Sequence, residues 1–242
     1  MRICIDATSL LLRSAGVKNY IYRWIEAMQR ELRQHSITAF PMIPDIGDLN
    51  HEASVLSMWQ TLPRLALLHF VNMRFNPAID MITAGVDVFH ASNQVRNPPS
   101  RPKLTATLYD MTCLLMPQNH TPGNVQAERN FADRILKRAD KLIAISEHTK
   151  TDTIKLLNVD PQKIAVIYPG VSDVFFRISD ADRQRAVAKY KLDKPFALFV
   201  GTVEPRKNID MLLNAWERLP ADVLQECELI AVGPLGWAGG ST

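Results

Sequence analysis

The 242 residues are 47% hydrophobic and 22% charged, with a formal net charge of +3 at pH 7, a balance that excludes disordered and collagen-like chains. The charge is small for the length, and no run of Lys or Arg forms a phosphate-gripping tail, so no nucleic acid partner is expected. Three cysteines, Cys4, Cys113 and Cys227, are too far apart in sequence for a metal knuckle or a redox pair and are expected as buried thiols in a reducing compartment.

Ile3 to Ala7 reads as a buried strand, and Asp6 interrupts the apolar stretch that a secretion signal needs. After a polar loop containing Gly16, the segment Tyr20 to Leu32 places Tyr20, Trp24, Ala27, Met28 and Leu32 on one helical face. Leu62 to Phe75 mixes leucines and aromatics with Arg64 and Arg74 and reads as a core helix, a basic and apolar surface docked on the membrane being the less favoured alternative. Strands follow at Val86 to Ala91, Leu104 to Asp110, Lys141 to Ser146 and Ile164 to Gly170, with a crossover helix from Asn124 to Ala139. Such alternation marks an α/β fold built on a parallel sheet. Ser146 is expected to cap the next helix, where Glu147 suits the dipole. No run of about 20 apolar residues exists to span a membrane, so membrane contact is expected to be weak and peripheral.

The pattern changes near Phe175. A charged helix from Asp180 to Lys191 precedes a new buried run, Pro195 to Gly201, then the loop EPRKN, a helix from Ile209 to Arg218 capped by Asn208, and a strand from Leu229 to Gly233. These read as a first Rossmann-like domain over 1–175, a linker over 176–194 and the start of a second domain over 195–242. Two strands and one full helix cannot cover both faces of a parallel sheet, so the second domain is expected to be incomplete.

The segment FVGTVEPRKNIDMLLNAW, Phe199 to Trp216, carries the chemistry. A strand ends in Gly201, a loop bears Glu204, Arg206 and Lys207, and a helix begins, which is where open α/β sheets bind anions. Arg206 and Lys207 fit a diphosphate there; surface charges on a loop are the plain alternative. This segment resembles the opening of the C-terminal domain in glycosyltransferase family 4, which has the GT-B fold of two facing Rossmann-like domains.

The resemblance implies that Arg206 and Lys207, with Gly201 and Thr202, contact the donor diphosphate. The common family form has Arg directly after the glycine, where this chain has Thr202, so Arg206 is the expected cationic partner, as in the EPRKN branch that resembles bacterial mannosyltransferases. AGVKNYIYRWIEAM, Ala15 to Met28, is similar to the family's first loop and helix. There Gly16 lets substrate approach the backbone, or simply serves the turn. DVFHASN, Asp87 to Asn93, and TLYDMTCLLMP, Thr107 to Pro117, match the strand ends lining the family's cleft. By resemblance Tyr109 and Asp110 stand as the catalytic pair, Tyr109 replacing the usual histidine, and His90 as a cleft residue or a hydrogen-bonded strand residue. IAISEHTKTDT, Ile143 to Thr153, and VIYPGV, Val166 to Val171, likewise put Ser146 and Gly170 at the cleft mouth, or leave them a cap and a turn. Two glutamates separated by seven residues, a family signature, do not occur and are expected beyond Thr242.

The resemblance implies a cytoplasmic, retaining hexosyltransferase, working at the inner face of the membrane. It would move a sugar from a nucleotide-sugar donor, GDP-mannose in the favoured case, to a glycan or lipid-linked acceptor in polysaccharide synthesis. No cofactor and no metal are expected, and the 242-residue chain alone is expected to be inactive. A non-catalytic α/β module that binds a glycan or a partner is the alternative. A dinucleotide enzyme is disfavoured because the first strand and helix lack the G-x-G-x-x-G turn.

Overall fold

The computed structural model describes residues 1–14, 16–44, 46–73, 77–234 and 236. They form two compact units, one of Met1–Pro117 with Thr121–Pro169, the other of Gln118–His120 with the described residues from Gly170 onward. The division at Pro169 precedes the change read near Phe175 and leaves the charged helix with the second unit.

In the first unit the strands are β1 (Arg2–Asp6), β2 (Ser36–Phe40), β3 (Val88–Ala91), β4 (Lys103–Leu108), β5 (Lys141–Ala144) and β6 (Ile164–Val166), joined by α1 (Gly16–Glu31), α2 (Met58–Val71), α3 (Ala78–Ile82), α4 (Thr112–Leu115), α5 (Pro122–Phe131) and α6 (Glu147–Leu157). The strands make one parallel sheet in the order β2-β1-β3-β4-β5-β6. Side chains alternate across it. Ile3 and Ile5 join Ile21 and Ile25 of α1 in one core, while Cys4 joins Phe89, Leu104, Ala106 and Leu142 in the other. The sheet is therefore covered on both faces, as a parallel sheet requires.

Several elements depart from the sequence reading. Helix α1 starts at Gly16 rather than Tyr20. Strand β2 was missed because only its last two residues are buried, leaving a weak apolar signal. The crossover read as Asn124 to Ala139 is α5 followed by a π-helical turn over Ala132–Leu136. Of the cysteines only Cys4 is buried; Cys113, within the four-residue α4, and Cys227 are partly exposed, and none of the three is in a disulfide.

The expectation of a core helix over Leu62 to Phe75 is overturned. Among the residues of α2 only Thr61 and Val71 are buried, and Trp59, Leu62 and Phe70 are exposed; Arg74 and Phe75 lie outside the described residues. Apolar residues run all round this helix, but the sheet covers only one side of it.

The second unit holds α7 (Asp180–Tyr190), β7 (Phe196–Val200), α8 (Ile209–Glu217), α9 (Ala221–Glu226) and β8 (Glu228–Val232). Strands β7 and β8 pair in parallel as a separate two-stranded sheet. Ser179 caps α7 by accepting from the Asp182 N–H. Leu198 and Val200 of β7 remain exposed.

Candidate functional site

All strands of the first sheet run the same way, so their carboxyl ends meet along one edge, where open α/β sheets place their ligands. Hydrogen bonds lace four of these ends together. Asp6, at the end of β1 and fully buried, accepts from the Thr8 N–H (3.2 Å) and hydroxyl (2.7 Å) through one oxygen. Its other oxygen accepts from the N–H groups of Ser92, Gln94 and Val95 at 3.2–3.3 Å, fixing the loop after β3. Ser92 then meets the Tyr109 hydroxyl beyond β4 at 3.3 Å, and the Thr149 hydroxyl of α6 donates to the Tyr109 carbonyl at 3.3 Å. Ser146, after β5, accepts from the Thr149 N–H at 3.1 Å, capping α6. A buried carboxylate is tolerated when it is this fully hydrogen-bonded.

Behind this edge lies an aromatic group. Tyr20 meets Tyr109 edge-on with centroids 5.5 Å apart, Trp24 meets His90 at 4.5 Å, and Tyr20 and Trp24 stack at 6.1 Å. His90 is 2% exposed, and its ring nitrogens contact the Thr105 and Thr107 hydroxyls at 2.8 and 2.9 Å. Burial pushes its pKa down to about 3, so the ring is neutral at pH 7, one nitrogen donating and the other accepting. Burial likewise raises the Tyr109 phenol, against the opposing pull of its Ser92 hydrogen bond.

Asp110, one residue on, is exposed, and its Oδ1 accepts from the Thr112 N–H (2.9 Å) and hydroxyl (2.5 Å). Solvent and the next helical turn thus carry the charge that follows the apolar strand. Glu128 of α5 lies within electrostatic reach of Asp110, and burial, with that neighbouring charge adding, raises its carboxyl to about 7. At Gly16, the first residue of α1, an added Cβ would meet nothing within 4 Å, and the same holds at Gly170. Close by, Lys18 is wholly buried, its ammonium donating to the Leu12 and Ala53 carbonyls at 2.7 and 2.6 Å and so pinning the loop before α1.

In the second unit the ends of β7 and β8 approach closely. Gly201 N–H donates to the Val232 carbonyl at 2.9 Å, and Val203 N–H to the Pro234 carbonyl at 3.0 Å. Gly233 has φ +153°, and a Cβ there would sit 2.0 Å from the Gly201 oxygen, so only glycine fits. Thr202 is half-buried in the loop that follows. Pro205–Lys207 form a 3-10 turn in which Glu204 holds Arg206 through a 2.6 Å ion pair, both half-buried, while Lys207 is exposed. The Arg206 Nε is buried without a hydrogen-bond partner. Asn208 does not cap α8 as expected: it is left-handed at φ 52°, and its side chain turns to the Met211 sulfur.

The structure brings Tyr109, Asp110 and Ser146 to the edge of the first sheet, with His90 beneath it. Gly201, Thr202, Arg206 and Lys207 gather at the strand ends of the second sheet. Sequence reasoning missed Asp6, Ser92, Lys18 and Glu128. For Asp6 a signal existed, since a carboxylate directly after a buried run needs donors; the partners of Lys18 and Glu128 are distant in sequence and gave none. Among the described residues no cluster of His, Cys, Asp and Glu suits a metal ion, and no helix is long and apolar enough to cross a membrane.

Comparison with known proteins agrees with this architecture. Residues 14–174 match the model of Glycosyltransferase Family 4. The chain is 27% identical over 151 residues to O-antigen chain mannosyltransferase B of Escherichia coli, covering 62% of this chain and 39% of that protein. It is 35% identical over 103 residues to D-inositol 3-phosphate glycosyltransferase of Mycolicibacterium smegmatis, covering 43% of this chain and 23% of that one. The chain thus spans well under half the length of these curated relatives. Among solved structures, Anabaena HepE in complex with UDP-glucose superposes with a TM-score of 0.62 at 17% identity, over 98% of this chain and 61% of that one, and shows the same GT-B fold. With two thirds of its length matched by the family model, the chain belongs to glycosyltransferase family 4.

Proposed function

We propose that this chain supplies the acceptor side and the first part of the donor side of a retaining hexosyltransferase. It moves a sugar, mannose in our reading, from a nucleoside diphosphate donor to a glycan or lipid-linked acceptor in cell-surface polysaccharide synthesis. The mannose assignment draws on the likeness to the E. coli mannosyltransferase and on the EPRKN form of the loop. HepE, which binds UDP-glucose, shows that the fold also accommodates a uridine donor.

The observation that carries the reading is Arg206. A guanidinium whose Nε–H is buried without an acceptor is incomplete, because buried donors are almost always satisfied, and a diphosphate oxygen supplies the missing partner. Lys207, exposed on the same turn, adds a second positive charge. As the acceptor oxygen bonds the anomeric carbon and passes its proton to an oxygen of the departing diphosphate, the bond from that carbon to the diphosphate breaks and its electron pair leaves with the diphosphate. Arg206 and Lys207 are fixed charges that offset this growing negative charge. We read Asp110 as the acceptor-side carboxylate that accepts a sugar hydroxyl, supported by its exposure at the strand end, with Tyr109 as the wall beside it. The open space at Gly16 supports approach of a substrate group to that backbone. Ser146 and Gly170 remain, in this reading, at the margin of the acceptor side. The donor is the substrate, and no resident cofactor enters the scheme.

The 242-residue chain by itself is expected to be inactive, since β7 and β8 supply only part of a nucleotide pocket. The test uses this chain and a form extended through a complete second domain, each incubated with a panel of nucleotide sugars and with glycan and lipid-linked acceptors. Transfer from GDP-mannose by the extended form alone supports the proposal. A folded extended form that transfers nothing would leave a binding module as the better account.

A further inference from the structure

A guanidinium presents its Nε–H and an Nη2–H side by side, a fork that matches two oxygens of one anion. Arg64 shows the fork in full use: Nε and Nη2 both donate to the Met42 carbonyl, at 3.0 and 2.9 Å. At Arg206 the fork is split. Its Nη2 donates to Glu204 Oε1 at 2.6 Å, while Nε, on the same edge, is buried and has no acceptor. The Glu204 carboxylate thus stands across half of the edge that an incoming anion needs and leaves the other half unfilled.

The backbone around this pair is braced. Val203 N–H donates to the Pro234 carbonyl at 3.0 Å, Gly236 N–H to the Val203 carbonyl at 2.8 Å, and Lys207 N–H to the Glu204 carbonyl at 2.9 Å. The side chains of Arg206 and Glu204 keep 28% and 19% of their surface exposed. What can change here is therefore the pairing of two side chains on a held loop. An orphaned buried donor is costly, so the resting pair favours any partner that fills both prongs at once. A lone phosphate meets the repulsion of the carboxylate and gains only Arg206 for displacing it. A diphosphate gains more, because one phosphoryl group takes the fork while the other is offered the exposed Lys207 of the same turn. We propose that Glu204 is a specificity-determining residue that gates Arg206, yielding the guanidinium to a diphosphate and withholding it from a single phosphate. This inference rests on the diphosphate reading of the loop given above, and adds that free phosphate and monophosphate esters are kept out by a like charge.

The test titrates the 242-residue chain with inorganic diphosphate and, separately, with inorganic phosphate, following the arginine Nε–H signals by NMR. Arg206→Lys identifies the Arg206 signal by removing it. In the parent, diphosphate should move this signal and bind at least about tenfold more tightly than phosphate. In Glu204→Gln, which keeps the shape and removes the charge, phosphate should tighten by about tenfold or more and diphosphate by less, so the preference narrows. Glu204→Ala, which leaves no acceptor at all, is the second variant and should narrow the preference in the same way; circular dichroism and melting check that each is folded. Equal affinities in the parent and both variants would overturn the gate and leave the diphosphate site standing. Weaker binding of both anions in the variants would also overturn it, making Glu204 a support for Arg206. A signal that neither anion moves in any folded form would remove the diphosphate site itself, and the gate with it.

Discussion

Replacing Glu128 with Gln should make the protein more stable at pH 8 and leave it nearly unchanged at pH 4. Burial, with the Asp110 charge adding to it, raises this carboxyl from an ordinary 4.5 to about 7 in the folded chain. Between those values the folded state holds a proton that the unfolded state has released, so stability falls as pH rises through the interval. Below 4.5 both states are protonated and nothing is lost; above 7 both are ionised and the full cost is present. At about 1.4 kcal/mol per tenfold difference, that cost is about 3 kcal/mol. Gln keeps the shape and cannot ionise. For a unit of this size about 1 kcal/mol moves the melting temperature by about 2–4 °C, so the variant should melt about 6–12 °C higher than the parent at pH 8. The assay is thermal melting of both proteins across pH 4–8, and the difference between them cancels every other titrating group. A difference that is flat with pH, or a variant less stable at pH 8, would refute the placement of Glu128 in a desolvated site beside Asp110.

Asp6→Ala should destabilise the first unit by more than about 3 kcal/mol in urea denaturation, because it strands the buried N–H groups of Ser92, Gln94 and Val95. Ser146→Ala should cost about 1 kcal/mol through loss of the α6 cap; a much larger loss of transfer than of stability in the extended enzyme would add a role in substrate binding. In that same extended enzyme Lys207→Ala should lower turnover by about 10²-fold while changing stability by less than about 0.5 kcal/mol, read by steady-state transfer kinetics alongside melting.

The elements most legible in the sequence were those whose signal is local. The strands β3 to β6 announce themselves as apolar runs, and Ser146 as a hydroxyl before an acidic first turn, because burial and capping leave marks within a few residues; β7 and β8 carry equally apolar runs, although the residues expected to be buried there are largely exposed. What escaped depends on partners far along the chain. Strand β2 is half-buried at the sheet edge, so its apolar content is diluted. Helix α2 has the composition of a core element, and periodicity reports that apolar residues share a face without reporting whether anything covers it. Asn208 precedes a helix as a cap would, yet the 3-10 turn at Pro205–Lys207 delivers it in a left-handed conformation from which its side chain reaches Met211 instead. For the candidate site, position along the chain gave Asp110, Arg206 and Lys207, but not that Glu204 holds Arg206 or that Glu128 sits near Asp110.

The missed Asp6 changes how the edge of the first sheet should be understood. A carboxylate without exposed surface carries a large desolvation penalty, and here five donors offset it, three of them from a loop about 90 residues away. Those donors are then unavailable to any ligand. The same is true of the Tyr109 hydroxyl, committed to Ser92, and of both His90 nitrogens, committed to threonines. Groups that sequence position alone would put against substrate are instead occupied in holding the strand ends together. In the function we propose, recognition along this edge falls to what the lacing leaves exposed, Asp110 and the open backbone at Gly16, presented on a support already held by its own hydrogen bonds. A site held by its own buried network keeps its geometry without the ligand, which is the arrangement that spares binding energy for the transition state.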